Sequence, residues 1–279
     1  MLQPVTLEEA VRARRDVPDA VVVAGGTEVM PFRNRGERPG PLLDLSRVEE
    51  LRRAEGGRLG AAVTYTRLIE ELGERFPVLA AAARTVAGRQ VRNRATLGGA
   101  LAIADPSADV LTALLASDAE VELASADGVR RVATAEFLTG PYECDLRDDE
   151  LLAAVVLPDE APGPAAYAKV GARNAMARAA CAVAVTLDPG ERSATVAVAA
   201  CGPTPLRAPP AEELIASEAP WAGPDDLEPG WLERIGALVA GATLPRSDSR
   251  GSAAYKRHAA AVLSARALRR AWRELMEPA

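Results

Sequence analysis

The stretch QVRNRATLGGALAIADPSAD, residues 90–109, concentrates more special-purpose residues than any other part of this 279-residue chain. A glycine pair follows Thr96, and an Asp-Pro-Ser corner follows at residues 105–107. Paired glycines let a backbone approach a ligand closely, because no Cβ stands in the way and positive φ values are accessible. The corner supplies helix start signals, so we predict a helix over residues 110–116. Backbone N–H groups near such a start favour an anion.

A second glycine pair lies in the sequence AGGT, residues 24–27, directly after a strand predicted over residues 20–24. One Gly-Gly pair is weak evidence, since a tight turn explains it equally well. Two pairs, each beside a threonine, are better evidence for a binding site. The pyrophosphate of a dinucleotide is an anion that needs several N–H donors, and two converging loops could supply them. Neither loop contains a lysine, so binding depends on backbone dipoles and hydroxyl groups. We therefore predict that the chain is organised around these two loops.

The composition is that of a soluble globular protein, with 48% apolar and 26% charged residues. The length predicts two compact domains, or one large domain with subdomains. A net charge of −6 disfavours a dedicated nucleic-acid binder. The sequence shows no export signal, and its apolar runs are too short to span a bilayer, so we expect a cytoplasmic protein.

The residue inventory disfavours several classes of catalyst. The three cysteines are far apart and form no C-x-x-C motif, so we expect free buried thiols and no iron–sulfur cluster held by this chain alone. The one histidine, His258, has no G-x-S-x-G motif to accompany it. No zinc-ligand set, P-loop or Rossmann fingerprint is present. We therefore predict no metal ligand and no acid–base catalytic residue.

Periodicity and turn signals predict an α+β chain. One hairpin joins residues 119–124 to 129–133 around Asp127-Gly128, and another joins residues 180–187 to 194–201. An amphipathic helix is predicted over residues 253–275, and the sequence PDEAPGP, residues 158–164, is the best candidate linker. The remaining predicted elements are helices that begin at Thr6, Thr66 and Pro77, helices over residues 28–32, 208–217 and 231–240, and strands over residues 42–45, 58–63, 151–157 and 165–170.

Residues 24–48, AGGTEVMPFRNRGERPGPLLDLSRV, and residues 90–109 together resemble the FAD-binding medium subunit of molybdenum hydroxylases. That family includes the carbon monoxide dehydrogenase medium subunit, and the FAD domain of xanthine dehydrogenase is related to it. Residues 166–188, 200–215 and 247–268 resemble the C-terminal domain of the family. The resemblance covers essentially the whole chain in the right order.

The resemblance implies a vanillyl-alcohol-oxidase-type FAD-binding domain of two α/β subdomains, residues 1–56 and 57–160. A C-terminal α+β domain of the CO dehydrogenase flavoprotein type follows over residues 165–279, and FAD lies between the two subdomains. The positions of this sequence that correspond to the family's FAD-binding residues are Val23, Ala24, Gly25, Gly26, Thr27, Glu28, Val29, Thr96, Gly98, Gly99, Ala100, Asp105, Asp109, Leu152 and Lys169.

Asp109 and Lys169 each leave an alternative open, and the chain departs from the family pattern at Ala100 and at Met176-Ala177. Asp109 either accepts hydrogen bonds from ribityl hydroxyls or is a first-turn acid that the helix dipole favours. Lys169 matches a lysine near the flavin; it either favours anionic reduced flavin or forms a structural ion pair. Ala100 stands where the family has Asn, Ser or Asp, so one polar contact to FAD is lost or replaced. Met176-Ala177 stands where Asp-Phe is common, and there the C-terminal domain is expected to pack differently.

The resemblance implies an FAD-binding electron-transfer subunit of a molybdenum hydroxylase complex. Its partners are an iron–sulfur small subunit, a molybdopterin large subunit and an external electron acceptor. One alternative is a free-standing FAD-dependent oxidoreductase that acts on its own small substrate. The other is a non-enzymatic assembly module whose FAD site has decayed, which Ala100 alone supports directly. The sequence names neither the substrate nor the acceptor.

Overall fold

The structure of the chain is a computed structural model that describes residues 1–158, 163–223 and 226–276. The linker predicted at residues 158–164 and the domain boundary at residue 160 therefore fall largely outside the described residues. The helices are α1 (Leu7–Asp16), α2 (Val29–Asn34), α3 (Tyr65–Glu70), α4 (Pro77–Arg84), α5 (Arg89–Arg92), α6 (Leu97–Ile103), α7 (Asp109–Ala116), α8 (Thr134–Phe137), α9 (Pro209–Glu218), α10 (Pro229–Ala242) and α11 (Ala253–Met276). The strands are β1 (Val21–Val23), β2 (Leu42–Asp44), β3 (Ala54–Glu55), β4 (Arg58–Gly60), β5 (Glu120–Ser125), β6 (Gly128–Ala133), β7 (Leu151–Val156), β8 (Ala165–Gly171), β9 (Ala179–Asp188), β10 (Ser193–Ala199) and β11 (Leu206–Arg207).

Three sheets organise the described residues, and the predicted α+β class is confirmed. Strands β1 and β2 form a small parallel sheet at the N-terminus. Five antiparallel strands follow in the order β3-β4-β7-β5-β6. The C-terminal sheet is antiparallel in the order β11-β10-β9-β8. None of the helices in the described ranges is long and apolar enough to cross a membrane.

Helix α1 begins where its capping residues predict. The Thr6 hydroxyl accepts a hydrogen bond from the Glu9 N–H at 3.2 Å. The Glu9 carboxylate accepts one from the Val5 N–H at 2.8 Å, one residue before the position that a capping box specifies. Helix α3 begins earlier than predicted, because Thr64 rather than Thr66 caps it.

The two hairpins are confirmed, with one change in the first. Ser125 pairs with Gly128, so residues 126 and 127 form the turn and Gly128 is the first residue of β6. The prediction placed this turn one residue too late. Gly128 has a φ of +143°, a conformation that a residue with a side chain rarely adopts. The loop between β9 and β10 lies where the Asp-Pro-Gly-Glu sequence predicts it.

The glycine pair after Thr96 lies in a helix rather than in a loop, which corrects the prediction for this stretch. The Thr96 hydroxyl accepts a hydrogen bond from the Gly99 N–H at 3.1 Å and caps α6. Helix α7 follows, but neither acid nor serine of the corner caps it, since its N-cap is Ala108. The Asp105 carboxylate instead accepts bonds from the Ser107 N–H and hydroxyl, which form an Asx turn before α7.

Helix α7 lies at the centre of the molecule, with all eight of its residues buried. It contacts α4 of the N-terminal half and both β9 and β10 of the C-terminal sheet. Successive residues of β9 face opposite sides of the sheet. Ala182 and Ala184 join the core that surrounds α7, whereas Val183 and Val185 join a second core with α10 and α11. The C-terminal sheet is therefore buried on both faces, and α7 fixes its position.

A truncation within α7 tests this arrangement. Leu114 is fully buried in the core around α7. We expect Leu114→Ala to lower the free energy of unfolding by about 2–5 kcal/mol, because it leaves a cavity in a packed core. Urea denaturation measures this loss. Val129→Ala on exposed β6 is the matched control and is expected to stay within about 0.5 kcal/mol of the wild type. Equal effects of the two variants would contradict the central role of α7.

Candidate functional site: a cavity between two glycine segments

A cavity of about 540 Å³ lies between the two glycine segments. Its wall includes residues 24–29, residues 98–100 of α6 and Asp109 of α7. Leu152 of β7 and residues 176–178 of the C-terminal half complete it. A volume of this size is typical of a site for a cofactor or other small molecule.

The first glycine segment, residues 24–28, connects β1 to α2. Gly26 has a φ of +76°, which favours glycine. A Cβ on Gly25 would lie 1.9 Å from the Arg94 carbonyl oxygen, so only glycine allows the backbones of the two segments to touch. The glycines here bring one stretch of protein against another, and the cavity forms beside that contact.

None of the backbone N–H groups of the first segment has a hydrogen-bond acceptor within the described part of the chain. Those of Gly26, Thr27 and Glu28 are consecutive, and all three residues line the cavity. They come immediately before α2, whose N-cap is Glu28. They provide a set of neighbouring donors that suits an anion.

The N–H groups of the second segment are already bonded within the protein. Those of Leu97 and Gly98 donate to the carbonyls of Val63 at 3.1 Å and Ala61 at 2.8 Å, and that of Gly99 donates to Thr96. A Cβ on Gly98 would lie 2.7 Å from the Ala61 side chain. The expectation that both glycine pairs offer free donors is therefore wrong for these three groups. Gly98 is required by packing.

Asp109 and Lys169 form an ion pair across the junction between the two halves. The Lys169 Nζ lies 2.6 Å from Asp109 Oδ2, and the Tyr167 hydroxyl donates to Asp109 Oδ1 at 2.6 Å. Lys169 also donates to the Thr85 carbonyl at 3.3 Å. Burial raises the pKa of Asp109, while the ammonium and the phenol favour its charged form. Asp109 thus lies in the first turn of α7 with each carboxylate oxygen bonded.

Arg178 connects the C-terminal half to the second glycine segment. Its Nη1 lies 2.7 Å from Asp105 Oδ2, and its Nη2 lies 3.9 Å from Glu28 Oε1. Met176 and Ala177 also line the cavity, so the positions that depart from the family pattern lie in its wall. Met176 has a φ of +51° and an exposed side chain.

The structure gathers nearly all of the residues singled out from the sequence. Val23 and Lys169 are outside the cavity wall, although Lys169 contacts it through Asp109. The wall residues among them are Ala24, Gly25, Gly26, Thr27, Glu28, Val29, Thr96, Gly98, Gly99, Ala100, Asp105, Asp109 and Leu152. Sequence reasoning missed Tyr65 and Arg178, which lie in no glycine motif. In residues 1–158, 163–223 and 226–276, no group of three or more His, Cys, Asp or Glu residues has a metal-binding arrangement.

Comparison with known proteins gives matches along the whole chain. Residues 1–160 match the family described as the FAD binding domain in molybdopterin dehydrogenase, and residues 166–271 match the CO dehydrogenase flavoprotein C-terminal domain. The putative xanthine dehydrogenase FAD-binding subunit of Escherichia coli (strain K12) is 36% identical, over 91% of this chain and 89% of the relative. The carbon monoxide dehydrogenase medium chain of Afipia carboxidovorans is 31% identical, over 91% of this chain and 89% of that relative.

The fold agrees with these matches. A solved structure of carbon monoxide dehydrogenase from Hydrogenophaga pseudoflava superposes with a TM-score of 0.87 at 30% identity, and the match covers 98% of this chain and 96% of that chain. The fold expected from the resemblance, a FAD-binding domain followed by a CO dehydrogenase flavoprotein C-terminal domain, is confirmed.

Removal of the Lys169 ammonium is expected to have a pH-dependent effect on stability. Lys169→Met leaves a buried carboxylate unpaired, so we expect a loss of about 3–5 kcal/mol at neutral pH. The pKa of Asp109 is already raised by burial, and removal of the Lys169 ammonium raises this pKa further. A raised folded-state pKa means that stability falls as the pH rises through it. The deficit should therefore shrink as the pH is lowered, because a protonated Asp109 needs no counter-ion.

Thermal unfolding of both proteins between pH 4 and pH 8 measures this effect. The double variant Asp109→Asn/Lys169→Met removes both charges and is the control. Because it has no carboxylate at residue 109, its stability should show no pH dependence that arises from an unpaired Asp109. A deficit in Lys169→Met that is constant across the range would contradict the assignment of a buried Asp109–Lys169 pair.

Proposed function

This chain belongs to the family of FAD-binding subunits of molybdopterin dehydrogenases, and we propose that its FAD site is the cavity between the two glycine segments. The observation that carries the proposal is the set of unpaired N–H groups of Gly26, Thr27 and Glu28 in the wall of a 540 Å³ cavity. Neighbouring backbone N–H groups without protein acceptors can bind one anion together. A diphosphate supplies oxygens for several of them at once.

The residues around this donor set fit a dinucleotide cofactor. The rest of the wall is largely apolar, as at Ala100, Ile103 and Leu152, which suits the flat faces of a flavin ring. Lys169 neutralises the charge of the Asp109 carboxylate. This carboxylate therefore does not strongly repel a diphosphate or a flavin ring in the cavity. The assignment of the individual residues to FAD remains our proposal, including Val23 next to the wall.

We further propose that the chain is an electron-transfer subunit. FAD, when bound, supplies the uptake and release of electrons, and the protein's residues hold and orient it. The named relatives are a FAD-binding subunit and medium chains, and this chain spans about nine tenths of their length. The partners we propose are an iron–sulfur subunit, a molybdopterin subunit and an external electron acceptor. The domain division at residues 56/57 and 160–165 is likewise proposed, and the two family matches support its second boundary.

Flavin binding tests the location of the site. We expect the purified chain to take up FAD, detected by flavin absorbance. Ala100 is half-buried in the cavity wall. Ala100→Trp is expected to weaken FAD binding on the order of 10- to 100-fold, because the indole occupies space that the cofactor needs. Val129→Trp, on exposed β6, is the control for the indole itself and should bind like the wild type. Unchanged binding by Ala100→Trp would place the cofactor elsewhere.

Electron transfer is tested by assembly with the neighbouring subunits. The flavin of the isolated chain should stay oxidised when the substrate of the complex is added. It should be bleached when the iron–sulfur and molybdopterin subunits are present, because the family places substrate oxidation on the molybdopterin subunit. Stopped-flow absorbance measures the bleaching. Turnover of that substrate by the isolated flavin-loaded chain would instead indicate a free-standing oxidoreductase.

A further inference from the structure

Tyr65 is a wall residue of the cavity that lies outside both glycine segments. It is the first residue of α3, and its N–H donates to the Ala95 carbonyl at 3.0 Å. The preceding residue, Thr64, forms a bridge with Thr96 at the start of α6. These backbone contacts hold Tyr65 beside the second segment, with 6% of its surface exposed.

The phenol hydroxyl of Tyr65 has no hydrogen-bond partner in the described part of the chain. Burial of a hydroxyl without a partner costs free energy, so buried tyrosines normally donate to an acceptor. Tyr167 is the internal comparison, since its hydroxyl donates to Asp109 at 2.6 Å. Tyr65 lines the cavity and is more than nine tenths buried. The acceptor open to its hydroxyl is therefore a molecule bound in the cavity.

The charges around Tyr65 keep its hydroxyl protonated. Burial raises the pKa of the phenol well above its usual value, and the carboxylates of Asp109 and Glu28 raise it further. Tyr65 is thus a neutral donor in the wall of the cavity.

We propose that Tyr65 is a further cofactor-binding residue whose hydroxyl donates a hydrogen bond to FAD bound in this cavity. This inference rests on the proposed function, because it assigns a contact within the same site. The Ala100 side chain offers no polar contact in this wall, and the Tyr65 hydroxyl supplies one from a different helix.

Tyr65→Phe tests the inference, since it removes the hydroxyl and keeps the ring. We expect the Kd for FAD to rise about five- to tenfold, as for the loss of one hydrogen bond. Isothermal titration of the flavin-free protein measures this Kd. Tyr255→Phe on α11 is the matched control, because Tyr255 is exposed and lies outside the cavity wall.

Thermal unfolding of the flavin-free protein separates this role from a structural one. The hydroxyl makes no internal bond, so Tyr65→Phe should leave the Tm unchanged or raise it by a few degrees. A lower Tm or an unchanged Kd for FAD would each overturn the inference. Failure of the wild type to bind FAD would overturn the proposed function itself, whereas normal binding by both wild type and Tyr65→Phe overturns only the role of Tyr65.

Discussion

The Asp109 carboxylate, buried at the start of the central helix, is the constraint on which the arrangement of the two halves depends. An unpaired buried carboxylate is strongly unfavourable, and two partners of Asp109, Tyr167 and Lys169, come from β8 of the C-terminal half. The C-terminal sheet must therefore pack against α7 in one register. That packing also places residues 176–178 over the cavity and lets Arg178 reach Asp105.

A second constraint works within the N-terminal half. The backbone of Gly25 touches that of Arg94, so the two glycine segments are fixed against each other before any ligand is considered. The buried polar groups at this junction are largely satisfied, as at Gly98 and Gly99. The N–H groups of residues 26–28 and the hydroxyl of Tyr65 have no protein partner in the described part of the chain, and all of these residues line one cavity. Several such donors in one cavity are stronger evidence for a ligand than the glycines are.

Much of the fold follows from local signals in the sequence. Thr6 with Glu9 predicts the start of α1, and the two hairpins follow from alternating strands around short turns. Helix α6, which contains Gly98 and Gly99, does not follow from local signals, because glycine has a low helix propensity. It forms because Thr96 caps it and because Gly98 packs on Ala61. The contact between Gly98 and Ala61 is a tertiary contact, which local sequence signals do not show. The role of Tyr65 is equally invisible to local reasoning, because nothing in the sequence shows that its hydroxyl lacks a partner.

Ala100 shows why a site should be judged by its whole set of contacts. The sequence indicated a lost polar group at this position, and therefore a weakened or decayed FAD site. In the structure Ala100 is one half-buried wall residue of a cavity that retains three free N–H donors and a phenol. A group of neighbouring donors without protein acceptors is what an anionic ligand such as a diphosphate requires. Their presence in one cavity argues that the chain still binds a polar, extended ligand there, and that the polar contact absent at Ala100 is made from a different helix.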